Sequence, residues 1–237
     1  MPSLPLATST TIPTPTREGL PPLSMRGVVK RWRGQRTAVL DGISLDVTPG
    51  TVTWVGGRNG AGKTTLLRIA AGLITADEGT CTLRGLDPER DRRKYQTNLG
   101  FLSGGNAGLY ARLSVRAHLE MWSRLAFVPR QSHRALVDRA LARFELVELA
   151  DRRVDRMSMG QRQRLRVAMT FLHEPVLVLL DEPRNSLDLD GLALLVRALE
   201  DLRVRGGAAI WCSPIGEELG TEPDVRLVVE DGKLVPA

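Results

Sequence analysis

The chain has 237 residues, 42% hydrophobic and 25% charged, which suits one large α/β domain with its own core. No apolar run approaches the roughly 20 residues of a membrane-spanning helix, and the N-terminus lacks a basic region followed by an apolar core, so neither an anchor nor a signal peptide is expected. Net charge is +6, but the basic residues are scattered among acids, as in 87–94, and aromatics are only 4%, so no base-stacking nucleic-acid surface is expected.

Residues 1–24 are rich in Pro, Ser and Thr and nearly uncharged, so a disordered tail is expected there. A folded domain is expected over 25–237. Its first strands are read at Gly27–Trp32 and Ile43–Val47, the second ending at the Pro49-Gly50 turn. Cys81 and Cys212 lie in apolar strand-like runs and read as core residues, not as a metal cluster.

The run Gly57-Arg58-Asn59-Gly60-Ala61-Gly62-Lys63-Thr64-Thr65 fits the pattern G-x-x-x-x-G-K-[ST] without gaps. It follows a short apolar strand, Thr51–Val55, and precedes a helical stretch, Leu66–Leu73. Strand, glycine loop and helix are what a phosphate cradle requires. The glycines bring amide N–H groups close to phosphate, and the helix N-terminus adds partial positive charge. Lys63 supplies a point charge for the β- and γ-phosphates. Thr64 offers a hydroxyl to Mg²⁺. A further strand is read at Thr80–Leu83.

Residues 106–165 read as mostly helical, with apolar residues at helical spacing over His118–Leu125 and Arg134–Glu148. In Met157-Ser158-Met159-Gly160-Gln161, Ser158 suits a helix N-cap, and the helix it opens carries Leu165, Ala168, Met169 and Leu172 on one face. Val176–Leu180 is five apolar residues in a row, a buried parallel strand, and it ends at Asp181-Glu182. There Asp181 can hold Mg²⁺ and Glu182 can orient or deprotonate water. The chain closes with a buried strand, Ala208–Cys212, and a hairpin, Arg226–Leu234.

From about Met25 to Leu234 these motifs, in this order, resemble the ATP-binding subunit of ABC transporters. The resemblance implies an α/β fold: a P-loop NTPase core whose mixed sheet joins an antiparallel β subdomain to a parallel core, with an inserted α-helical subdomain at about 106–165. It implies that Trp32 stacks on adenine; a Trp that merely caps the sheet is the alternative. Ser158, Gly160 and Gln161 match the family signature, which closes over the γ-phosphate held by a second subunit, and Met159 replaces a glycine there. Ser186-Leu187-Asp188 resembles the loop that crosses the dimer interface. Tyr110 and Arg112 become candidates for contact with a membrane partner.

The implied activity is MgATP hydrolysis at a head-to-tail dimer interface. It would drive a separate transmembrane permease, in the direction of export, from the cytoplasmic face of the membrane. The catalytic residues would be Glu182 and Lys63. ATP would be held by Trp32, 57–65, Ser158, Gly160 and Gln161, and Mg²⁺ by Thr64 and Asp181. No nucleic-acid partner is expected. Two family residues are missing. The Gln that should follow the strand Asn98–Leu102 is replaced by Ser103-Gly104-Gly105, and the His that should follow Cys212 by Ser213-Pro214. A weakly or non-hydrolysing regulator of a membrane complex therefore stays open, as does a soluble ATPase acting on nucleic acid. Pairing with an identical or a different second subunit is equally open.

Overall fold

The computed structural model describes residues 19–34, 37–104, 108–216 and 220–237, with the backbone alone described at 185 and 186. In its N-terminal half the elements are β1 (Leu23–Lys30), β2 (Leu40–Val47), β3 (Val52–Gly56), α1 (Lys63–Ala70), β4 (Glu78–Thr82), α2 (Arg92–Thr97) and β5 (Leu99–Leu102). Then follow α3 (Val115–Leu125), α4 (His133–Arg143), α5 (Met159–Phe171), β6 (Leu177–Asp181), α6 (Leu189–Val204), β7 (Ala208–Cys212), β8 (Val225–Glu230) and β9 (Lys233–Pro236).

The strands make two sheets. One is antiparallel, in the order β2-β1-β4; the other has the order β5-β6-β7-β3-β8-β9. In the larger sheet every pairing is parallel except β8 with β9. The central strands β3, β6 and β7 are buried at every position, as expected of largely apolar strands covered on both faces. Alternation then sorts their side chains. Val178, Leu180 and Trp211 join the cluster built with α3, α4, α5 and α6, whereas Leu177, Leu179, Ile210 and Cys212 join the cluster shared with α1 and the antiparallel sheet. The mixed-sheet architecture and the helical region match the sequence expectation.

Several boundaries shift for identifiable reasons. Of the expected tail, 1–18 lie outside the described residues, and β1 begins at Leu23 because that side chain is fully buried opposite Val47. The same strand ends at Lys30, which leaves Trp32 in the loop that follows. The helix expected over Arg134–Glu148 stops at Arg143. Glu145 takes a left-handed φ of 53°, and the Leu146 N–H turns back to the Leu141 carbonyl at 2.8 Å, which buries Leu146 completely. The charged run after Asp87 is solvated, as expected, but it folds as α2 around one anchor. Tyr95 is buried, and its hydroxyl donates to the Ala70 carbonyl at 2.6 Å.

Candidate active site

The carboxyl ends of β3 and β6 define the site, with β7 between them. β3 runs into the glycine loop, and α1 starts at Lys63. Gly62 is the helix cap, at a φ of 112°, and a Cβ there would stand 2.8 Å from the Val39 carbonyl. Only glycine fits that conformation and that space. The cap provides no side-chain hydrogen bond, so the first amides of α1 find no acceptor there. Lys63 is almost buried, and its Nζ donates to the carbonyls of Gly57 at 2.7 Å and Arg58 at 3.1 Å.

Thr64 Oγ1 donates to Asp181 Oδ1 at 3.1 Å, joining the start of α1 to the end of β6. Burial pushes the Asp181 carboxyl up; the Thr64 hydroxyl opposes this, the neighbouring Glu182 charge adds to it, and Arg68 and Lys63 oppose it more weakly. Glu182 has φ 47° and ψ 53° and precedes Pro183, so a non-glycine residue is held in the left-handed region at the strand end. Its N–H donates to the Cys212 carbonyl at 2.9 Å, which fixes the turn to β7.

One cavity of about 440 Å³ has Trp32 at its wall together with Gly60, Lys63, Thr64, Thr65 and Glu182. Trp32 is 39% exposed, with Lys30 Nζ 5.6 Å from its ring centroid. An aromatic face, a phosphate loop and a carboxylate thus share one hollow. Arg58 and Ala61 line an adjoining cavity of about 740 Å³, and Asn59 and Gly60 line both.

Ser158, Gly160 and Gln161 do not line the Trp32 cavity. They form a tight helix start. Ser158 Oγ accepts from the Gln161 N–H at 3.2 Å, and Gln161 Oε1 accepts from the Ser158 N–H at 3.1 Å. A Cβ on Gly160 would collide with the Asp188 carboxylate, which itself caps α6 by accepting from the Gly191 N–H at 2.7 Å. Met159 points to solvent, 62% exposed. Tyr110 and Arg112 are exposed as well.

In the two stretches where the resemblance implies a Gln and a His, Ser103 and Ser213 make structural contacts. The Ser103 carbonyl accepts from Arg166 Nη2 at 2.5 Å. Ser213 is fully buried, and its Oγ accepts from Trp54 Nε1 at 2.8 Å. Residues 105–107 lie outside the described residues. Sequence reading missed Arg166 because an arginine on a signature helix reads as solvated. The available signal was Gln163, Arg166 and Thr170 recurring at helical spacing.

The sequence model of the ABC transporter family matches residues 40–185. The ABC transporter ATP-binding protein NatA of Bacillus subtilis is 30% identical over 193 residues, 81% of this chain and 78% of that protein. The cytochrome c biogenesis ATP-binding export protein CcmA of Methylococcus capsulatus is 38% identical over 181 residues, 76% of this chain and 86% of that one. A dimeric ATP-binding cassette solved in a post-hydrolysis state with ADP and phosphate superposes with a TM-score of 0.78 at 19% identity, covering 90% of this chain and 96% of that one.

Proposed function

Because the chain belongs to the ABC transporter family, as one of its ATP-binding subunits, we propose that it binds MgATP in the cavity shared by Trp32, the phosphate loop and Glu182, and hydrolyses it to drive a separate transmembrane permease in the direction of export. That shared cavity is the observation that carries the proposal. Trp32 would stack on the adenine. The amides of 57–65 and the start of α1 would cradle the phosphates. Lys63 would exchange its two loop carbonyls for phosphate oxygens.

The residues present fit Mg²⁺. The Thr64 hydroxyl and Asp181 carboxylate are hard oxygen donors already in contact, and a cation would relieve the buried carboxylate. When bound with ATP, the ion neutralises charge on the β- and γ-phosphates. Glu182 would hold the attacking water and take its proton as the water oxygen bonds to the γ-phosphorus and ADP departs. Its left-handed backbone, pinned by the N–H on the Cys212 carbonyl, places it at the end of β6 on the wall of that cavity.

Ser158, Gly160 and Gln161 would serve the nucleotide of a second subunit, in a head-to-tail pair at the inner face of the membrane. Their separation from this chain's own cavity supports that arrangement, and so does the dimeric state of the similar cassette. The word export in the name of the Methylococcus relative supports the direction. Steady-state MgATP hydrolysis by the purified chain, beside Glu182→Gln, tests the proposal. Turnover that the substitution removes supports a self-sufficient motor; equal rates in the two would sink hydrolysis at this site.

A second reading rests on Ser103 and Ser213, whose engagement with Arg166 and Trp54 leaves the site short of two family groups. In it the chain pairs with a different subunit, keeps a weak site of its own and lends Ser158–Gln161 to a strong one. Co-purification with a co-expressed homologue separates the two, since a purely homodimeric product removes the second reading.

A further inference from the structure

The face of α5 that meets β5 carries a buried polar stripe. Gln163, Arg166 and Thr170 are 2%, 6% and 4% exposed. Helix faces packed against a sheet are normally apolar, and a guanidinium taken out of water destabilises the fold unless its donors are matched. Here they are matched by a loop. Arg166 Nη2 donates to the Ser103 carbonyl at 2.5 Å and to Ser103 Oγ at 3.3 Å, and Nη1 donates to Gln163 Oε1 at 3.0 Å. The Arg166 carbonyl in turn accepts from Thr170 Oγ1 at 3.0 Å. An aliphatic side chain of similar volume would fill the same space without that desolvation cost.

The next residue shows what the contact achieves. Gly104 lies beside Asp181: a Cβ added to it would meet the Asp181 carbonyl oxygen at 3.5 Å and Oδ2 at 3.9 Å, ordinary contact distances. The other carboxylate oxygen accepts from Thr64. Asp181 is thus bracketed, with the phosphate-loop helix on Oδ1 and the loop held by Arg166 near Oδ2.

We propose that Arg166 is a positioning residue for the Asp181 carboxylate. By gripping Ser103 it sets the Ser103–Gly104 backbone against Asp181, and so ties the geometry of the Mg²⁺ site to the helix that presents Ser158, Gly160 and Gln161. The proposal rests on the MgATP reading of the cavity. Groups that orient a metal-binding carboxylate typically change metal affinity or activity by ~10–100-fold when lost. Lysine cannot replace the planar fork whose Nη2 takes both Ser103 oxygens while its Nη1 takes Gln163 Oε1.

The test uses the full chain carrying Glu182→Gln, so that binding is read without turnover. A fluorescent ATP analogue reports nucleotide affinity while Mg²⁺ is titrated, and thermal unfolding is recorded in parallel. Arg166→Met is expected to leave Mg²⁺-free nucleotide affinity within about threefold while raising the half-saturating Mg²⁺ concentration by at least ~10-fold; Arg166→Lys and Ser103→Ala are expected to fall between. A folded Arg166→Met with an unchanged Mg²⁺ midpoint overturns the proposal. So does a loss of Mg²⁺-free affinity that follows the loss of thermal stability with no separate Mg²⁺ effect. If the Met variant does not fold, an unchanged midpoint in folded Arg166→Lys and Ser103→Ala overturns it equally. A chain with Arg166 intact whose nucleotide affinity ignores Mg²⁺ would overturn the MgATP reading itself, a distinct failure seen before any Arg166 variant is made.

Discussion

The ends of β3 and β6 differ in kind from the ends of β5 and β7. At the first pair the candidate site side chains have neighbours that a ligand could replace or join: Lys63 on two loop carbonyls, Thr64 on Asp181, Glu182 beside an open cavity. At the second pair the residues are tied to the core, Ser103 to Arg166 and Ser213 to Trp54. Four neighbouring strand ends thus divide into two that present chemistry and two that present scaffolding. A site can keep its binding half while the groups that refine the transition state give way to structural hydrogen bonds, because those groups add rate rather than affinity.

The largest expected effect tests that division directly. Glu182→Gln should lower MgATP turnover by ~10²–10³, the usual cost of one preorganised polar group, with nucleotide binding retained. Pro214→Ala, at the end of β7, should change turnover less than about threefold, under ~0.7 kcal/mol of barrier. Losses of equal size at the two positions would erase the contrast.

A second effect concerns stability at the scaffolding end. Trp54→Phe removes the donor to Ser213 Oγ and leaves a buried hydroxyl unpaired. The expected cost is ~1–3 kcal/mol, read by denaturant unfolding. Adding Ser213→Ala should recover part of it, since no orphaned oxygen then remains. Simple addition of the two single losses would count against the hydrogen bond as the cause.

The phosphate loop, Asp181-Glu182, the signature turn and most strands were legible because each depends on local chemistry. A glycine pattern, an unbroken apolar run and a capping serine announce themselves within ten residues. The Trp32 cavity was legible only in outline, because β1 stops at Lys30 and the loop after it sets where the ring stands. What stayed hidden depends on contacts far apart in the chain. Arg166 bonds a residue 63 positions away and Trp54 one 159 positions away. Neither partner carries a periodic signal, and an arginine or serine in sequence reads as solvated by default. Likewise Tyr95 gave no hint that α2 would form within a charged run, since its anchor is the Ala70 carbonyl on another helix.

A smaller effect should distinguish the two regions by pH. His173 Nε2 lies 3.0 Å from the Leu99 carbonyl at the start of β5, and His118 accepts from the Tyr110 N–H at 2.8 Å beside the helical region. Burial pushes both imidazoles below the ordinary value of 6.5, while the Leu99 carbonyl at His173 and the Ser114 carbonyl, 3.0 Å from His118 Nδ1, partly oppose it. The unfolded chain then binds more protons than the folded one between each lowered value and 6.5. Stability rises with pH through that window and is lost as pH falls through it. Because both groups sit on the β5 and helical side, acid should open amides there before those of α1. Hydrogen exchange at pH 7 and pH 5.5 checks this, and uniform opening across the molecule would contradict it.

The smallest effect compares two tryptophans side by side. Trp54 and Trp211 are register partners on β3 and β7, and both pack into the cluster beneath α5 and α6. Trp54 Nε1 has Ser213; Trp211 Nε1 is buried with no hydrogen-bond partner among the described residues. Phenylalanine at either site leaves a void, which destabilises by ~24 cal/mol per Å³ that does not collapse. At Trp211 the same change also removes an N–H whose unpaired burial costs ~1–3 kcal/mol. The two terms nearly cancel there and add at Trp54. Trp211→Phe is therefore expected within ~1 kcal/mol of the parent protein, and clearly more stable than Trp54→Phe. Equal losses from the two would mean that packing volume, rather than the hydrogen bond to Ser213, holds the end of β7.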